Sequence, residues 1–409
     1  METFPSAPVR DVADDARDEV PPASPCPACG GHMRGVFEVG RLPVNVGVFY
    51  DGAAEAEAAP MGDIELAHCE RCGLVHNRRF DPDADIFRPG YEVALHHSQT
   101  FRTFIADLVD RLSARFDLTG KRILEIGCGD GYVLKQLAER GNDCIGIDPT
   151  VREPGPVPVS QGTMRLVRDY FSPAHAAIEA DFLCCLSVFE DIARPGPFLG
   201  AAHAIARRSG APLYIEVFNG ARAIEAGEVW SVHYEQCNYF GLEALVRILE
   251  LNGFAVEDAG TCYEGDQYLY AVARAAPPTV ERSRDRGEGD APNPTALERF
   301  ATSFKKRRDD WNERLAHWRR GGESAVAWGT GGKGITFLNT VDSRGIEAVL
   351  EINPDKQGRH LPGTGHPIVA PERLAELRPD HVIVSNALYL AEMEAQARAL
   401  GVECRFWVA

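Results

Sequence analysis

The sequence of 409 residues contains no apolar run that approaches the ~20 residues of a membrane-spanning helix. Its acidic, proline-rich start has no apolar core of the kind that an export signal carries. Positive charge is also scarce, because 43 lysines and arginines stand against 60 acidic residues and leave a net charge of −17. Phosphate backbones require a basic surface. We therefore expect neither a membrane nor nucleic acid as the partner.

Eleven cysteines are present, and without an export signal we expect them in the cytoplasm, as thiols or metal ligands rather than disulfides. Four of them form two Cys-x-x-Cys pairs. A glycine after the second cysteine of each pair lets the backbone fold back, so that both sulfurs face one point. This set predicts a tetrahedral, structural Zn²⁺ site. The candidate ligands are Cys26, Cys29, Cys69 and Cys72.

Two unrelated thiol pairs, or a redox dithiol, are the alternative interpretation of these cysteines. His32, His68 and His76 offer further ligands in the same region. The 39 residues from 30 to 68 exceed the common zinc-ribbon spacing. A β-hairpin with one strand from Arg41 to Tyr50 would fill this gap.

Short apolar runs alternate with amphipathic segments from Lys121 to Ala275, which predicts an α/β domain with a mainly parallel sheet. Glu264-Gly265-Asp266 joins the last two runs as an antiparallel hairpin at the sheet edge. Ser324 to Ala409 repeats the pattern on a smaller scale. The strands predicted in the larger region are Arg122–Ile126, Asp143–Asp148, Phe182–Ser187, Pro212–Val217, Val256–Tyr263 and Tyr268–Ala273.

These patterns divide the chain into five segments. A disordered tail over 1–24 precedes a zinc-binding module over 25–85. The larger α/β domain covers 86–275 and begins with helical spacing from Phe87 to about Leu118. A linker and a charged helix, Thr295 to Arg320, occupy 276–322, and a smaller α/β domain covers 323–409.

A glycine-rich turn follows the first predicted strand of the larger domain. Gly127, Gly129 and Gly131 alternate there, and only glycine lets a backbone turn so tightly and approach a ligand so closely. A dinucleotide fingerprint would require glycine where Tyr132 stands. Asp148 ends the next apolar run, where a carboxylate accepts hydrogen bonds from ribose hydroxyls. The segment predicts a nucleotide-ribose pocket at the carboxyl end of the sheet.

The order Glu125-x-Gly127-x-Gly129-x-Gly131 resembles motif I of the class I S-adenosylmethionine-dependent methyltransferases. The resemblance implies that the glycines make room for the methionine moiety and that Asp148 holds the ribose. Asp169-Tyr170-Phe171 resembles the segment that flanks the adenine. A generic nucleotide turn that binds NAD is the alternative.

The loop from Trp230 to Phe240 follows the fourth predicted strand and carries side chains that move protons or hold hydroxyls. Because the carboxyl edge of the sheet carries this loop, we expect it over the cofactor pocket. The side chains concerned are His233, Tyr234, Glu235 and Tyr239.

A four-cysteine module, a methyltransferase core and a C-terminal Rossmann-like domain together resemble the nucleotide-sugar C-methyltransferases, which make branched deoxysugars for antibiotics. The family loop usually reads Tyr-His-Glu-His-x-x-Tyr-Phe, and its Glu-His pair abstracts a proton from a 4-keto sugar. Glu235 matches the glutamate and Tyr239 the tyrosine, while Gln236 stands where the second histidine is expected. The resemblance implies a nucleotide-sugar substrate, with Gln236 and Tyr239 among its contacts. We expect a monomer.

The glutamine matters because carbon accepts a methyl group only as an enolate, which requires a base. Glu235 is the first candidate for that base, helped by His233 and Tyr234. In the segment before the core, Tyr91 and His96 are candidates for closing over cofactor and substrate, as the resemblance implies. Methyl transfer to oxygen or nitrogen is the alternative, and a non-catalytic regulatory protein that binds S-adenosylmethionine is another.

A second glycine turn, Gly329-Thr330-Gly331-Gly332-Lys333-Gly334, follows an apolar strand and formally completes the dinucleotide pattern. Lys333 and the helix N-terminus suit a phosphate. Lys356 and Arg359 add basic groups that an anionic nucleotide-sugar needs on an acidic protein. We assign these three side chains to substrate binding. A purely structural lobe and an NAD site are the alternatives.

Overall fold

Three β-sheets organise the chain. The computed structural model describes residues 25–84, 86–92, 95–276 and 294–409. The predicted tail and nearly all of the predicted linker lie outside the described residues. In the described ranges, no helix combines the length and the apolar character needed to cross a bilayer.

The first sheet begins with strands β1 (Met33–Pro43), β2 (Met61–Cys69) and β3 (Val75–Asn77), and a short helix α1 (Ala53–Glu57) connects β1 to β2. Strands β1 and β2 are antiparallel, with Met33 opposite Cys69. This pairing brings the two Cys-x-x-Cys segments together although 39 residues separate them. A hairpin therefore fills the gap, as the sequence predicts.

The strand predicted from Arg41 to Tyr50 is wrong in its bounds. Strand β1 starts earlier and ends at Pro43, whose backbone nitrogen has no hydrogen to donate to a sheet. The chain then leaves the sheet as a loop over 44–50. That loop reaches the loop that carries Glu235, as described below.

The second sheet has eight strands in the order β11-β12-β9-β8-β4-β5-β7-β6. Its centre is parallel, and β11 and β12 form an antiparallel hairpin at one edge. This arrangement confirms the predicted α/β class and all six predicted strands, with small shifts at their ends. The strands of this sheet are β4 (Arg122–Ile126), β5 (Asp143–Ile147), β6 (Gly155–Pro156), β7 (Thr163–Val167), β8 (Phe182–Leu186), β9 (Pro212–Phe218), β11 (Phe254–Cys262) and β12 (Tyr268–Ala275). Strand β10 (Asn238–Tyr239) lies in the same region of the chain but belongs to the first sheet.

Strand β7 was not predicted, because Thr163 and Arg165 interrupt its apolar residues and expose one face. Helix α2 begins at Gln99 rather than near Phe87, since Pro89 and Gly90, with its φ of 97°, break the earlier spacing. The helices of this domain are α2 (Gln99–Phe116), α3 (Tyr132–Ala138), α4 (Pro195–Ser209), α5 (Gly220–Glu225) and α6 (Leu242–Leu251).

The third sheet is parallel, with the order β15-β14-β13-β16-β17. The predicted charged helix precedes it and is confirmed as α7 (Pro294–Gly321). The remaining elements are β13 (Ala325–Trp328), α8 (Gly332–Thr340), β14 (Ile346–Leu350), β15 (Ile368–Val369), α9 (Leu374–Leu377), β16 (His381–Val384), α10 (Leu390–Ala399) and β17 (Arg405–Val408).

One apolar core joins the three regions. Strand β10, from the middle domain, pairs with β3 and completes the first sheet. Helix α7 packs its apolar side chains against β1, the loop near Trp230 and the third sheet. This core places the loop that carries Glu235 between the first and third sheets. Its members include Phe37, Ile64, Val229, Trp230, Tyr239, Phe300, Phe304, Trp311, Phe337 and Ile383.

We predict that Phe304→Ala lowers the free energy of unfolding by about 3–5 kcal/mol, the usual loss for a large buried side chain. Phe304 is 2% exposed. Its ring lies edge-on to Phe37 at 5.3 Å and 5.8 Å from Trp230. Urea unfolding measures the loss, and Lys305→Ala, on the exposed side of the same helix, is the control. Equal stability of the two variants would contradict the shared core.

Candidate active site and metal centre

A cavity of about 870 Å³ opens at the carboxyl ends of β4, β5, β8 and β9. The glycine turn after β4, which we call its floor, lines it together with Asp148, Tyr91 and His96. The ends of parallel strands converge there, which is why ligands bind at this edge of an α/β sheet. We call this cavity the cleft.

The glycine turn takes a conformation that other residues rarely adopt. Gly127, Gly129 and Gly131 have φ values of 76°, 53° and 84°. A Cβ added to Gly127 would lie 2.2 Å from Cγ2 of Val188. A Cβ on Gly129 would meet no atom within 4 Å, so this backbone faces open space in the cleft. A bound molecule can therefore approach it closely.

Asp148 and Glu125 supply the acidic groups of the turn. Oδ2 of Asp148 accepts a 2.9 Å hydrogen bond from the Gly129 amide, and Oδ1 accepts one of 2.7 Å from Thr150. Glu125 is 2% exposed, and its Oε2 has no hydrogen-bond partner among the described residues. Burial, then the charges of Asp130 and Asp148, raise the pKa of Glu125 well above its usual range.

A buried carboxyl oxygen without a partner calls for a donor from a ligand. S-Adenosylmethionine carries an ammonium group and a sulfonium, both positive, and a ribose with two hydroxyls. The open glycine backbone, the unpaired Glu125 oxygen and the carboxylate of Asp148 fit these groups. An anionic pyrophosphate would meet the same carboxyls with the wrong charge.

Asp169 lies beside the cleft rather than in its wall. Its side chain is 57% exposed and lies 3.4 Å from Nε2 of His175. Its neighbours Tyr170 and Phe171 do line the cleft. The segment predicted to flank the adenine is thus at the cleft through its aromatic rings, while the carboxylate of Asp169 orients the segment.

Tyr91 and Glu235 form the central polar contact of the site. The Tyr91 hydroxyl donates a 2.6 Å hydrogen bond to Oε1 of Glu235, and the Val46 amide donates one of 2.9 Å to Oε2. Burial raises the pKa of Glu235 to about 7, against the lowering effect of these two hydrogen bonds. Tyr91 lines the cleft, so Glu235 lies directly behind a cleft residue.

His233 and Tyr234, predicted as helpers of Glu235, point in other directions. His233 packs against Gly332 of the second glycine turn, and its pKa falls to about 4 through burial and then the charge of Lys333. The Tyr234 hydroxyl accepts a 2.8 Å hydrogen bond from the Asp81 amide. Neither lines the cleft in the described part of the chain. Both side chains therefore connect the loop to its neighbours.

The predicted substrate contacts of this loop are also internal. Nε2 of Gln236 donates a 3.4 Å hydrogen bond to the Asn238 carbonyl, and the Tyr239 hydroxyl donates one of 3.3 Å to the His233 carbonyl. Gln236 and Tyr239 are buried. They shape the loop that holds Glu235.

His96 stacks on Tyr132, the first residue of α3, with ring centroids 4.5 Å apart. Its Nδ1 lies 3.6 Å from Oδ2 of Asp130. His96 and Tyr132 both line the cleft. The structure thus brings His96 next to the glycine turn, away from Glu235's hydrogen bonds.

The second glycine turn uses its own acidic residue. The amide and hydroxyl of Thr330 both donate hydrogen bonds to Glu351. Thr330 is fully buried, and a Cβ added to Gly332 would lie 2.9 Å from the His233 ring, so part of this turn is covered by the protein. The geometry therefore favours a structural role over NAD binding.

The three basic residues predicted for the substrate do not line the cleft. Nζ of Lys333 lies 2.7 Å from Oε2 of Glu228. Lys356 is buried beside Thr330. Nη1 of Arg359 lies 3.5 Å from the Phe49 carbonyl, which it faces as a donor. The spacing in the sequence could not show that these cations lie away from the cleft.

Charged residues that line the cleft but were not predicted include Arg152, Asp191 and Glu216. Arg152 forms an ion pair with Glu92 at 2.6 Å. Burial raises the pKa of Asp191 well above its usual range and that of Glu216 to about 8. The sequence signal that could have identified Asp191 and Glu216 was an acidic residue inside an apolar strand or just after one, at the carboxyl edge of a parallel sheet.

The four predicted cysteine ligands meet in one cluster, with all four sulfurs within 4.8 Å of one another. The shortest contacts cross between the pairs: 3.7 Å from Cys26 to Cys72 and 3.5 Å from Cys29 to Cys69. Zn–S bonds of about 2.3 Å give sulfur separations of about 3.8 Å around a tetrahedral ion. A redox dithiol would instead pair the cysteines within one Cys-x-x-Cys segment, so the geometry favours a metal site.

The chain matches two known domain families. Residues 96–259 match the family described as "Methyltransferase domain", and residues 273–408 match the "C-methyltransferase C-terminal domain". The first match contains most of the residues that line the cleft, and the second contains the third sheet.

The chain is 23% identical to the C-methyltransferase NovU of Streptomyces niveus, over 92% of this chain and 93% of that protein. A ubiquinone biosynthesis O-methyltransferase of Hahella chejuensis is 26% identical over 39% of this chain and 64% of its own length. The structure of magnesium protoporphyrin IX methyltransferase from Synechocystis PCC 6803 with bound SAH has a TM-score of 0.33 and 16% identity, covering 45% of this chain and 89% of that one. The chain is therefore a methyltransferase that combines a methyltransferase domain with a C-methyltransferase C-terminal domain.

Proposed function

We propose that this enzyme transfers a methyl group from S-adenosylmethionine to a carbon atom of a nucleotide-linked keto-deoxysugar, in the biosynthesis of a secondary metabolite such as an antibiotic. The observation that carries the proposal is the 2.6 Å hydrogen bond from Tyr91, at the cleft, to the buried carboxyl of Glu235. The similarity to a C-methyltransferase along nearly the whole chain supports it.

Methylation at carbon begins with the loss of a proton next to a carbonyl group. A base works best when its pKa lies near the working pH. The pKa of Glu235, raised to about 7 by burial, meets this condition. As the C–H bond breaks, its proton passes to the Tyr91 oxygen and the Tyr91 proton passes to Oε1 of Glu235. The electron pair stays on the substrate as an enolate.

S-Adenosylmethionine supplies an electrophilic methyl group on a positive sulfur. The glycine turn, Glu125 and Asp148 hold this donor at the cleft floor. Catalysis of the transfer itself then depends on alignment of the enolate carbon with the methyl group and sulfur. The acidic residues Asp191 and Glu216, which line the same cleft, favour a positively charged donor there.

Gln236 does not weaken this proposal, although it stands where the resembled family has a histidine. Its side chain is buried and bonds within its own loop. The change therefore removes no base from the cleft wall. Methyl transfer to oxygen is the second candidate, because relatives that match the methyltransferase part are named O-methyltransferases. Such a reaction would not need a base for a C–H bond.

We propose that Arg152 binds the anionic part of the acceptor. It lines the cleft, whereas the sequence-predicted Lys333, Lys356 and Arg359 do not. Its side chain is 55% exposed and bridges Glu92 and Asp355 at the rim. A phosphate could displace these carboxylates, since guanidinium groups bind phosphate in two-pronged geometry.

We also propose that Cys26, Cys29, Cys69 and Cys72 hold a structural Zn²⁺. The ion would tie the start of β1 to the end of β2 and so fix the loop over 44–50 that contacts Glu235. None of the eleven cysteines, all of which lie in the described residues, forms a disulfide, which supports a reducing compartment such as the cytoplasm.

For the cofactor, we predict that Gly127→Ala weakens S-adenosylmethionine binding by at least about tenfold, since overpacking costs about 1–3 kcal/mol. The added methyl group would collide with Val188 and force the turn to move. Isothermal titration measures the affinity. Gly141→Ala, at a φ of 88° with open space around it, is the matched control for backbone strain. Unchanged affinity in Gly127→Ala would contradict the assignment of the turn.

For the base, we predict that Glu235→Gln lowers kcat by about 10²–10⁴-fold, the range of general base catalysis. The affinity for S-adenosylmethionine should stay unchanged. Below pH 7 the carboxylate becomes protonated, so kcat/KM of the unaltered enzyme should fall by about tenfold per pH unit. Glu257→Gln, at an exposed ion pair, is the control. Full activity in Glu235→Gln with a nucleoside-diphosphate 4-keto-6-deoxysugar would exclude this base.

For the metal, we predict one zinc per chain by elemental analysis. Cys72→Ser should lose the zinc and unfold at a lower temperature, because metal binding contributes directly to folding. Cys404→Ser alters a thiol outside the cluster and should keep both properties. A zinc-free protein whose unfolding temperature ignores a chelator would refute the site.

A further inference from the structure

Lys356 is a buried cation without an ion-pair partner among the described residues. It is 5% exposed, and its Nζ lies 3.4 Å from the Thr330 hydroxyl and 5.1 Å from the centre of the Phe49 ring. Burying an ammonium group is costly unless charges of the opposite sign lie near it. Burial lowers the pKa of Lys356, while Glu351, Glu92 and Glu235 act in the opposite direction. One of these acids is the proposed base.

Lys356 and Glu235 pack against the same loop of the first domain, residues 44–50. The Val46 amide of this loop donates to Glu235, and the Phe49 ring lies under the Lys356 ammonium. Between them, the Tyr91 ring covers Gly47, where an added Cβ would lie only 2.6 Å away. The loop over 44–50 therefore contacts both Glu235, from the middle domain, and Lys356, from the C-terminal domain.

Contact with the cofactor or the acceptor does not explain this position, because Lys356 does not line the cleft. If the Lys356 side chain served only to fill space, an apolar side chain would do so without the cost of removing a charge from water. The effect of Lys356 on the reaction must therefore pass through a neighbouring side chain. Two of its acidic neighbours are hydrogen-bonded to cleft residues, Glu92 to Arg152 and Glu235 to Tyr91. Glu235 is the more deeply buried of the two, at 3% exposed, so the charge of Lys356 is screened least there.

We infer that Lys356 is a positioning residue that keeps Glu235 in its carboxylate form, so that the C-terminal domain completes the active site of the methyltransferase domain. The inference rests on the proposed function only in naming Glu235 as the base. The electrostatic coupling of the two side chains can be measured whether or not Glu235 is catalytic.

The other charged groups around the pair set the direction of the expected effect. Asp191 and Glu235 disfavour each other's charge, while the Tyr91 hydroxyl favours the Glu235 carboxylate. Glu92 and Glu351 face Lys356. Without the Lys356 ammonium group, the Glu235 carboxylate would be surrounded mainly by other negative charges and apolar groups. Its pKa should therefore rise, by about one pH unit or more for a nearby charge.

The test follows the protonation of Glu235 directly. Infrared difference spectra between the enzyme and its Glu235→Gln variant isolate the carboxyl band of Glu235, which can be titrated with pH. We expect a midpoint near pH 7 in the unaltered enzyme. Lys356→Met should move the midpoint upward by about one unit or more. Lys356→Arg keeps the charge and should restore it. Lys121→Met, which removes a lysine at the start of β4, should leave it unchanged.

The pH profile of kcat/KM provides the second readout, with a nucleoside-diphosphate 4-keto-6-deoxysugar as acceptor. Its acidic limb should move with the infrared midpoint. An infrared midpoint that does not respond to Lys356→Met overturns the inference. A midpoint that moves while the acidic limb stays still leaves the coupling intact and refutes Glu235 as the base instead.

If the Lys356→Met variant folds poorly, a double variant that also carries Glu235→Gln provides a further test. If the loss of stability comes from an uncompensated Glu235 charge, adding Glu235→Gln should recover the thermal stability, since it removes the second partner. A double variant no more stable than Lys356→Met shows that the two side chains are not coupled and overturns the inference.

Discussion

The hydrogen bond from Tyr91 to the buried carboxyl of Glu235 is the constraint on which the arrangement of this enzyme depends. A carboxyl group loses most of its hydration on burial and must recover hydrogen bonds from the protein. Here the donors come from two separate segments, Tyr91 before α2 and the Val46 amide of the first domain. The loop that carries Glu235 is itself held by β10, which completes the first sheet. The proposed base therefore exists only where these regions are packed together.

The shared core and the acidic cleft follow from this constraint in different ways. Helix α7 covers the loop near Trp230 and joins the first sheet to the third, so the small domains enclose the loop that carries Glu235. The cleft collects Glu125, Asp148, Asp191 and Glu216 at the ends of parallel strands. Such a concentration of carboxyls is unfavourable by itself. Burial, and then neighbouring negative charges, raise the pKa values of Glu125 and Asp191. A positively charged methyl donor relieves the repulsion in the cleft, which agrees with the match to the methyltransferase domain family.

The second glycine turn illustrates how similar sequence patterns acquire different roles. The first turn leaves its backbone open to the cleft at Gly129 and leaves a Glu125 oxygen without a partner. In the second turn, Thr330 donates its hydrogen bonds to Glu351, and Gly332 packs against His233. Both have the glycine spacing of nucleotide sites. Only the environment of each turn determines whether its polar groups remain available to a ligand.

The sequence alone determined the α/β class, the six main strands, the glycine turn and the cysteine quartet, because each depends on local periodicity or on short spacings. It also identified Tyr91 and Glu235 as candidates, through a resemblance, without showing that they touch. Only the tertiary structure decided that His233, Tyr234 and Gln236 turn away from the cleft, that Lys333 and Lys356 do not line it, and that Arg152, Asp191 and Glu216 do. A loop residue's direction depends on contacts with segments more than a hundred positions away, as the bond between Val46 and Glu235 shows, and such contacts leave no periodic trace in the chain.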